Sequence, residues 1–112
     1  MPKPDIELLV GESGKVWPFN VYPSTIRFND FIPGVYLIST EDPAGGAEHV
    51  FIGETDNIDL TLSEHEKQSC FDQHGYNRIA FYKNASQEVR RSIVDDLASV
   101  LDPVCNRDGD GD

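Results

Sequence analysis

The chain has 112 residues, 38% of them hydrophobic and 10% aromatic, which is typical of one folded domain with a single core of modest size. No apolar run approaches the roughly 20 residues that span a bilayer, and the N-terminus has no signal-peptide core, so we expect a soluble, cytoplasmic protein. Twenty acidic residues against nine Lys and Arg give a formal net charge of -11, which opposes binding to the phosphates of a nucleic acid.

The first 33 residues predict a hairpin followed by an irregular connection. Two extended runs, 6–10 and 15–19, flank a four-residue segment that begins and ends with glycine, a pattern typical of a hairpin turn. Between Asn20 and Pro33, the prolines at positions 23 and 33 prevent a long helix. We interpret residues 1–33 as an N-terminal extension within the same domain.

The middle of the chain predicts two paired strands. Residues 34–40 form a continuous apolar run rich in β-branched and aromatic side chains, typical of a strand that is covered on both faces. After a loop of turn-forming residues, 48–53 form a second extended run. In an antiparallel pair, Tyr36 and Phe51 lie near one another.

The second half predicts a helix, a strand and a helix. Asn57 can cap a helix that ends near Ser69, and residues 76–82 alternate as a third strand. Ser86 opens the last helix, and Pro103 ends it. The predicted buried stripe of this helix consists of Val89, Ile93, Leu97 and Val100 or Leu101.

These elements predict an α+β domain. We expect a small central antiparallel three-stranded sheet flanked by helices, formed by residues 34–40, 48–53 and 76–82, with the hairpin as an N-terminal extension. The acidic residues 107–112 predict a disordered tail.

The two cysteines, Cys70 and Cys105, are too few for a disulfide framework, so we expect reduced thiols, with a bridge between them as the alternative. Together with His65 and His74 they also suit zinc by side-chain type. Their spacing matches no compact zinc knuckle, and we expect no metal.

Three motifs follow one another in a fixed order along residues 34–106. Gly34-Val35-Tyr36 is followed after fourteen residues by Phe51-Ile52-Gly53, and an apolar helix then leads to Pro103-Val104-Cys105-Asn106. In this order and spacing the motifs resemble the GIY-YIG nuclease family. The resemblance implies a GIY-YIG-like core over residues 34–106 and the metal-assisted hydrolysis of phosphodiesters.

The resemblance also assigns catalytic positions, and most of them have lost the required group. Tyr36 matches the tyrosine that helps to activate water, and His65 matches as well, but Phe51 replaces the second tyrosine. Thr61 stands where the family has a phosphate-stabilising arginine, and Val94 stands where it has a metal-binding glutamate. A threonine carries no charge and a valine offers no oxygen ligand. Each such loss costs on the order of a hundredfold to a thousandfold in rate.

Binding residues are harder to assign. Arg90 and Arg91 are the candidates for a local basic surface, and Asn106 matches the family's Pro-x-x-Asn ending.

We therefore hypothesise a catalytically inactive GIY-YIG-like domain that is retained as a binding module. It would need no cofactor and would bind a protein partner, for which the acidic charge favours a basic surface, and neither nucleic acid nor membrane. The alternative is an active endonuclease that uses Mg²⁺ or Mn²⁺, with Tyr36, His65 and Asp95 or Asp96 at an atypical metal site. A third hypothesis is a metal-binding or purely structural protein.

Overall fold

The computed structural model describes residues 5–44 and 46–106, so the predicted tail at 107–112 lies outside the described residues. The strands are β1 (Asp5–Val10), β2 (Val16–Pro23), β3 (Gly34–Glu41), β4 (Ala47–Thr55) and β5 (Arg78–Lys83). The helices are α1 (Ile58–Ser63), α2 (Gln68–Gln73) and α3 (Gln87–Leu101), followed by a 3₁₀ turn (Val104–Asn106). None of the helices in the described part is long and apolar enough to cross a membrane.

The sheet has five strands in the order β1-β2-β5-β3-β4, and every neighbouring pair is antiparallel. The α+β class is confirmed, but the predicted three-stranded sheet with a separate hairpin was wrong. β2 continues past the predicted hairpin and pairs with β5 from Asn20 opposite Phe81 to Pro23 opposite Arg78. Pro23 was interpreted as part of a loop, yet a proline is tolerated at the end of a strand. An isolated two-stranded hairpin is marginally stable in water, and this pairing joins it to the main sheet.

Side chains alternate between the two faces of the sheet, so each face has its own core. The first core lies under α3, and its members are Leu9, Phe19, Val35, Leu37, Ile52, Ala80, Ile93 and Leu97. The second lies under α1, α2 and the 3₁₀ turn, and its members are Tyr36, Ile38, Val50, Ile58, Phe71, Ile79, Phe81 and Cys105. We call these the α3 face and the α1/α2 face. Tyr36 and α3 therefore lie on opposite sides of the sheet.

The buried stripe of α3 is shifted from the predicted one. Ile93 and Leu97 are fully buried as expected, and Leu101, one of the two predicted ends of the stripe, packs against the same core. Val89 and Val100 are instead 37% and 51% exposed. Arg90 is buried in place of Val89. An apolar side chain marks the core face only on average, and here a charged residue that has a partner takes the buried position.

The predicted helix between Asn57 and Ser69 is two short helices. The Asn57 side chain accepts from the Leu60 N–H as predicted for a cap, and the Ser63 hydroxyl donates to the Leu60 carbonyl at the end of α1. The chain then turns through residues 64–67 before α2 begins. This break places His65 in a turn rather than on a helix.

Cys70 on α2 and Cys105 on the 3₁₀ turn form a disulfide, so the expectation of two reduced thiols was wrong. They are separated by 35 positions in the sequence, and only the packing of both segments on the α1/α2 face brings them together.

Candidate functional site

The glycine of the second motif makes room for the tyrosine of the first. Tyr36 on β3 lies opposite Gly53 on β4. A Cβ atom at position 53 would come within 2.8 Å of both the Tyr36 hydroxyl oxygen and the Phe51 ring. The two motifs are thus coupled sterically, because the Tyr36 ring leans across the strand where a side chain is missing.

Aromatic rings surround Tyr36 on the α1/α2 face. Its ring centroid lies 5.9 Å from that of Phe51 and 5.7 Å from that of His65, which confirms the predicted proximity of Tyr36 and Phe51. His65 also packs on Phe51 at 5.0 Å and on Phe71 at 4.7 Å. The structure therefore brings together three of the five predicted catalytic positions in one cluster.

A hydrogen bond of 2.7 Å joins the Tyr36 hydroxyl oxygen to Nε2 of His65. The backbone N–H of Lys67 donates to Nδ1 of the same ring at 3.0 Å, so Nδ1 is an acceptor and carries no proton. In the neutral imidazole the proton then belongs on Nε2, which donates to the Tyr36 oxygen. His65 is consequently not arranged to take the proton of Tyr36.

The surroundings hold both groups in their neutral forms. Burial, and next the negative charges of Glu66 and Glu54, raise the pKa of Tyr36 well above its usual value. Burial lowers the pKa of His65, which the nearby charge of Glu66 only partly offsets. A tyrosine that activates water must be able to give up its proton near the working pH, and this environment opposes that.

Thr61 lies beside Tyr36 and His65, at the wall of a shallow cavity of about 430 Å³. Its hydroxyl forms a 2.6 Å hydrogen bond with that of Thr55, so it is occupied within the protein. The cavity is lined by Tyr36, Glu54, Leu60, Thr61, Glu64, His65 and Glu66. Four of the predicted site positions therefore contribute to one region, three of them lining the cavity and Phe51 packing beneath it.

The cavity is acidic. Three glutamates line it, and none of the described residues that line it is Lys or Arg. Sequence reasoning missed these glutamates, although the pattern Glu64-His65-Glu66 around a predicted site residue was a usable signal.

Arg90 and Arg91 contact Glu54, which lines the cavity, but do not line the cavity themselves. Nε of Arg90 donates to Glu54 Oε1 at 2.8 Å, and Nη1 of Arg90 donates to the Asn84 carbonyl at 3.1 Å. Nε of Arg91 lies 3.8 Å from Glu54 Oε2, but its side chain is 68% exposed. The buried guanidinium of Arg90 holds Glu54 in place and is not part of an open basic surface.

Val94 lies on the opposite face of the sheet from the acidic cavity. It packs against the core of the α3 face, on the other side of the sheet from Tyr36. Asp96 accepts hydrogen bonds from the Ser13 backbone and hydroxyl and from the Trp17 indole, and these bonds lower its pKa. Asp95 lines a different surface depression. Neither carboxylate replaces a metal ligand beside Tyr36.

Asn106 has a structural role that its motif position did not reveal. Its side-chain oxygen accepts from the Ile52 N–H at 2.7 Å, and its amide donates to the Ile52 carbonyl at 2.9 Å. Because β4 is at the edge of the sheet as described, Asn106 satisfies backbone groups that none of the five described strands pairs with. The bonds also fix the adjacent Cys105 against the sheet.

In comparisons with known proteins, the chain matches no family model, no curated protein and no solved structure. The resemblance to GIY-YIG nucleases rests on the motifs themselves and stays a prediction.

Proposed function

We propose that this domain is a catalytically inactive GIY-YIG-like module that binds a protein partner by accepting a basic side chain of that partner in the acidic cavity beside Tyr36. The observation that carries the proposal is the lining of the cavity, where Glu54, Glu64 and Glu66 surround a neutral Tyr36–His65 pair.

Charge decides between a phosphate and a cation as the group that enters. A phosphodiester placed here would meet the carboxylates of Glu64 and Glu66, while the charge of Glu54 is already paired with the buried guanidinium of Arg90. A lysine or arginine side chain would meet Glu64 and Glu66 with the favourable sign. Exposed pairs of this kind contribute roughly 0.2–1 kcal/mol each, so the cavity supplies selectivity rather than high affinity.

Among residues 5–44 and 46–106, the reactive groups of a nuclease are not assembled around Tyr36. Its hydroxyl oxygen accepts a hydrogen bond from Nε2 of His65, its pKa is raised, and the Thr61 hydroxyl is hydrogen-bonded to that of Thr55. Val94 contributes to the opposite face of the sheet. The alternative of a Mg²⁺- or Mn²⁺-dependent endonuclease would have to recruit Glu64 or Glu66 as ligands instead of Asp95 or Asp96.

Titration with a short arginine-rich peptide, followed by NMR, tests the proposal. We expect the largest shifts at Leu60, Thr61 and His65, and no comparable shifts at the exposed Glu88 on α3. A double variant, Glu64→Gln with Glu66→Gln, should weaken binding by about two- to thirtyfold, the sum of two exposed pairs. The matched control, Glu48→Gln with Glu88→Gln, changes the net charge equally at other exposed sites and should retain the affinity.

If both double variants weaken peptide binding equally, the effect depends on net charge alone, and specific binding in the cavity is refuted. Incubation with branched, single-stranded and duplex DNA plus Mg²⁺ or Mn²⁺ provides the second arm. We expect no cleavage, and cleavage that is abolished by Tyr36→Phe would establish the nuclease instead.

A further inference from the structure

Three side chains with soft-metal ligand atoms meet beside the C-terminal part of α2, and none of them lines the acidic cavity. Cys70 on α2, His74 at its C-terminal end and Cys105 on the 3₁₀ turn each place one such atom within 4.8 Å of the others. Cys70 and His74 are four positions apart, which places them on the same side of a helical turn. Cys105 reaches them from a segment that Asn106 fixes against β4.

We propose that reduction of the Cys70–Cys105 disulfide converts this cluster into a Zn²⁺ site formed by Cys70, His74 and Cys105. The disulfide-bonded form and the zinc-bound form exclude each other, because both use the same two sulfur atoms. The cluster would then act as a redox-controlled metal site, independent of what binds beside Tyr36.

The ligand set suits zinc in type and in charge. Thiolate and imidazole are its preferred ligands, and three protein ligands leave one position for water or a further side chain. Two thiolates and a neutral imidazole make an uncharged complex with Zn²⁺. This neutrality matters because Cys105 is completely buried, and an isolated charge there would be costly.

The surroundings of His74 fix its backbone and place a carboxylate beside its ring. Nδ1 lies 3.5 Å from Oε1 of Glu48, and the Thr40 hydroxyl donates to the His74 carbonyl at 3.0 Å. With Nδ1 facing Glu48, Nε2 is the nitrogen left for a metal. A carboxylate beside the second nitrogen of a ligating histidine orients the ring and raises its basicity, so Glu48 is a positioning residue.

The change between the two forms is small. Two sulfur atoms that are bonded in the disulfide must separate to about 3.8 Å, the distance between two thiolates that each lie about 2.3 Å from a tetrahedral zinc ion. Cys70 lies half-buried on a helix of six residues, so rotation of its side chain can supply this movement while Cys105 stays in the core.

The chemistry balances with ordinary reagents. A phosphine reductant takes up the oxygen of one water, breaks the S–S bond and leaves two thiols. Binding of Zn²⁺ then releases both thiol protons. Hydrogen peroxide reverses the process. It oxidises the two zinc-bound thiolates to the disulfide, takes up two protons and is itself reduced to two waters, and Zn²⁺ is released.

Metal binding by the full chain, before and after reduction with a phosphine, tests the proposal. Co²⁺ serves as the spectroscopic probe, and Zn²⁺ then displaces it. The reduced protein should bind one Co²⁺ with thiolate charge-transfer bands and the strong visible bands of a tetrahedral site, and the oxidised protein should show neither. Hydrogen peroxide should release one equivalent of Zn²⁺ to a chromophoric chelator as the disulfide returns.

Variants separate the site from metal binding by loose thiols. His74→Ala retains both cysteines, so its folding can be verified in the oxidised form by circular dichroism. It should weaken Zn²⁺ binding by at least about tenfold, Glu48→Gln should weaken it by about tenfold, and the control His49→Ala should not change it. Absence of metal binding by the reduced protein, or equal affinity in His74→Ala and wild type, would overturn the proposal.

Discussion

The two faces of the sheet differ in how they are covered and in what they contain. One long helix, α3, covers the α3 face, and its core members are all apolar. The α1/α2 face is covered by two six-residue helices, a 3₁₀ turn and the connection after β2, and it contains Tyr36, His65 and the disulfide. The candidate sites are on the face whose cover is made of short pieces, because the ends and turns of such pieces can present polar groups next to a core.

The same comparison extends to the N-terminal hairpin. Within the described residues, no helix covers the hairpin on the α1/α2 side, and Ile6, Leu8, Val10 and Val16 are each more than half exposed. On the α3 side its residues Leu9 and Phe19 belong to the core. Packing on the α3 side therefore stabilises the hairpin.

The disulfide gives the largest expected difference between the faces. It closes a loop of 35 residues, so reduction of the folded protein without metal should lower the free energy of unfolding by about 4 kcal/mol. Urea unfolding with and without a phosphine measures this loss. A Cys70→Ala, Cys105→Ala double variant should be insensitive to the reductant, and a wild type that is equally insensitive would show that the bridge adds no stability.

The α3 face should depend on packing instead. Leu97→Ala removes a fully buried side chain and should destabilise the protein by about 3 kcal/mol. Val100→Ala, one turn away at a position that is 51% exposed, should change stability by less than about 0.5 kcal/mol. Chemical denaturation of both variants gives the comparison, and similar losses would contradict the assigned orientation of α3.

The ion pair between Glu54 and Arg90 joins a residue that lines the acidic cavity to the helix that covers the α3 face. Glu54→Gln weakens the hydrogen bond to the buried Arg90 and should cost about 2 kcal/mol. Arg91→Gln removes the longer contact of an exposed side chain and should cost less than about 0.5 kcal/mol. If the two substitutions have equal effects in thermal or urea unfolding, Arg90 does not hold Glu54 as described.

The pH dependence gives the finest test of the α1/α2 face. Because burial lowers the pKa of His65 in the folded protein, the unfolded chain binds a proton first as the pH falls below about 6.5. Stability should therefore decrease between about pH 6.5 and the lower pKa of the folded state, and then level off. His65→Gln should remove this part of the decrease in urea unfolding curves, whereas His49→Gln should retain it.

Prediction from the sequence succeeded where the evidence was local. The hairpin, the adjacency of Tyr36 and Phe51, the Asn57 cap and the last helix each follow from the order of neighbouring residues. It failed for the β2–β5 pairing, since a strand that ends in Tyr22-Pro23 gives no local sign of the partner it will find.

The site was predicted in the same uneven way. The motifs identified Tyr36, Thr61 and His65, which do line one cavity, but they also placed Val94 there, and it belongs to the opposite core. A helix position inferred by counting along the chain carries no information about which face of the sheet the helix covers. The motifs gave no role to the three glutamates that line the cavity, so the sequence did not predict its acidic charge.

The sequence by itself determined the local elements of this protein, its acidic charge and the proximity of Tyr36 and Phe51, because periodicity and turn chemistry act between near neighbours. Tertiary structure alone decided the fifth-strand pairing, the burial of Arg90 against Glu54 and the meeting of Cys70, His74 and Cys105. These contacts join residues distant in the chain, and their geometry depends on how every element packs on the two faces of one sheet.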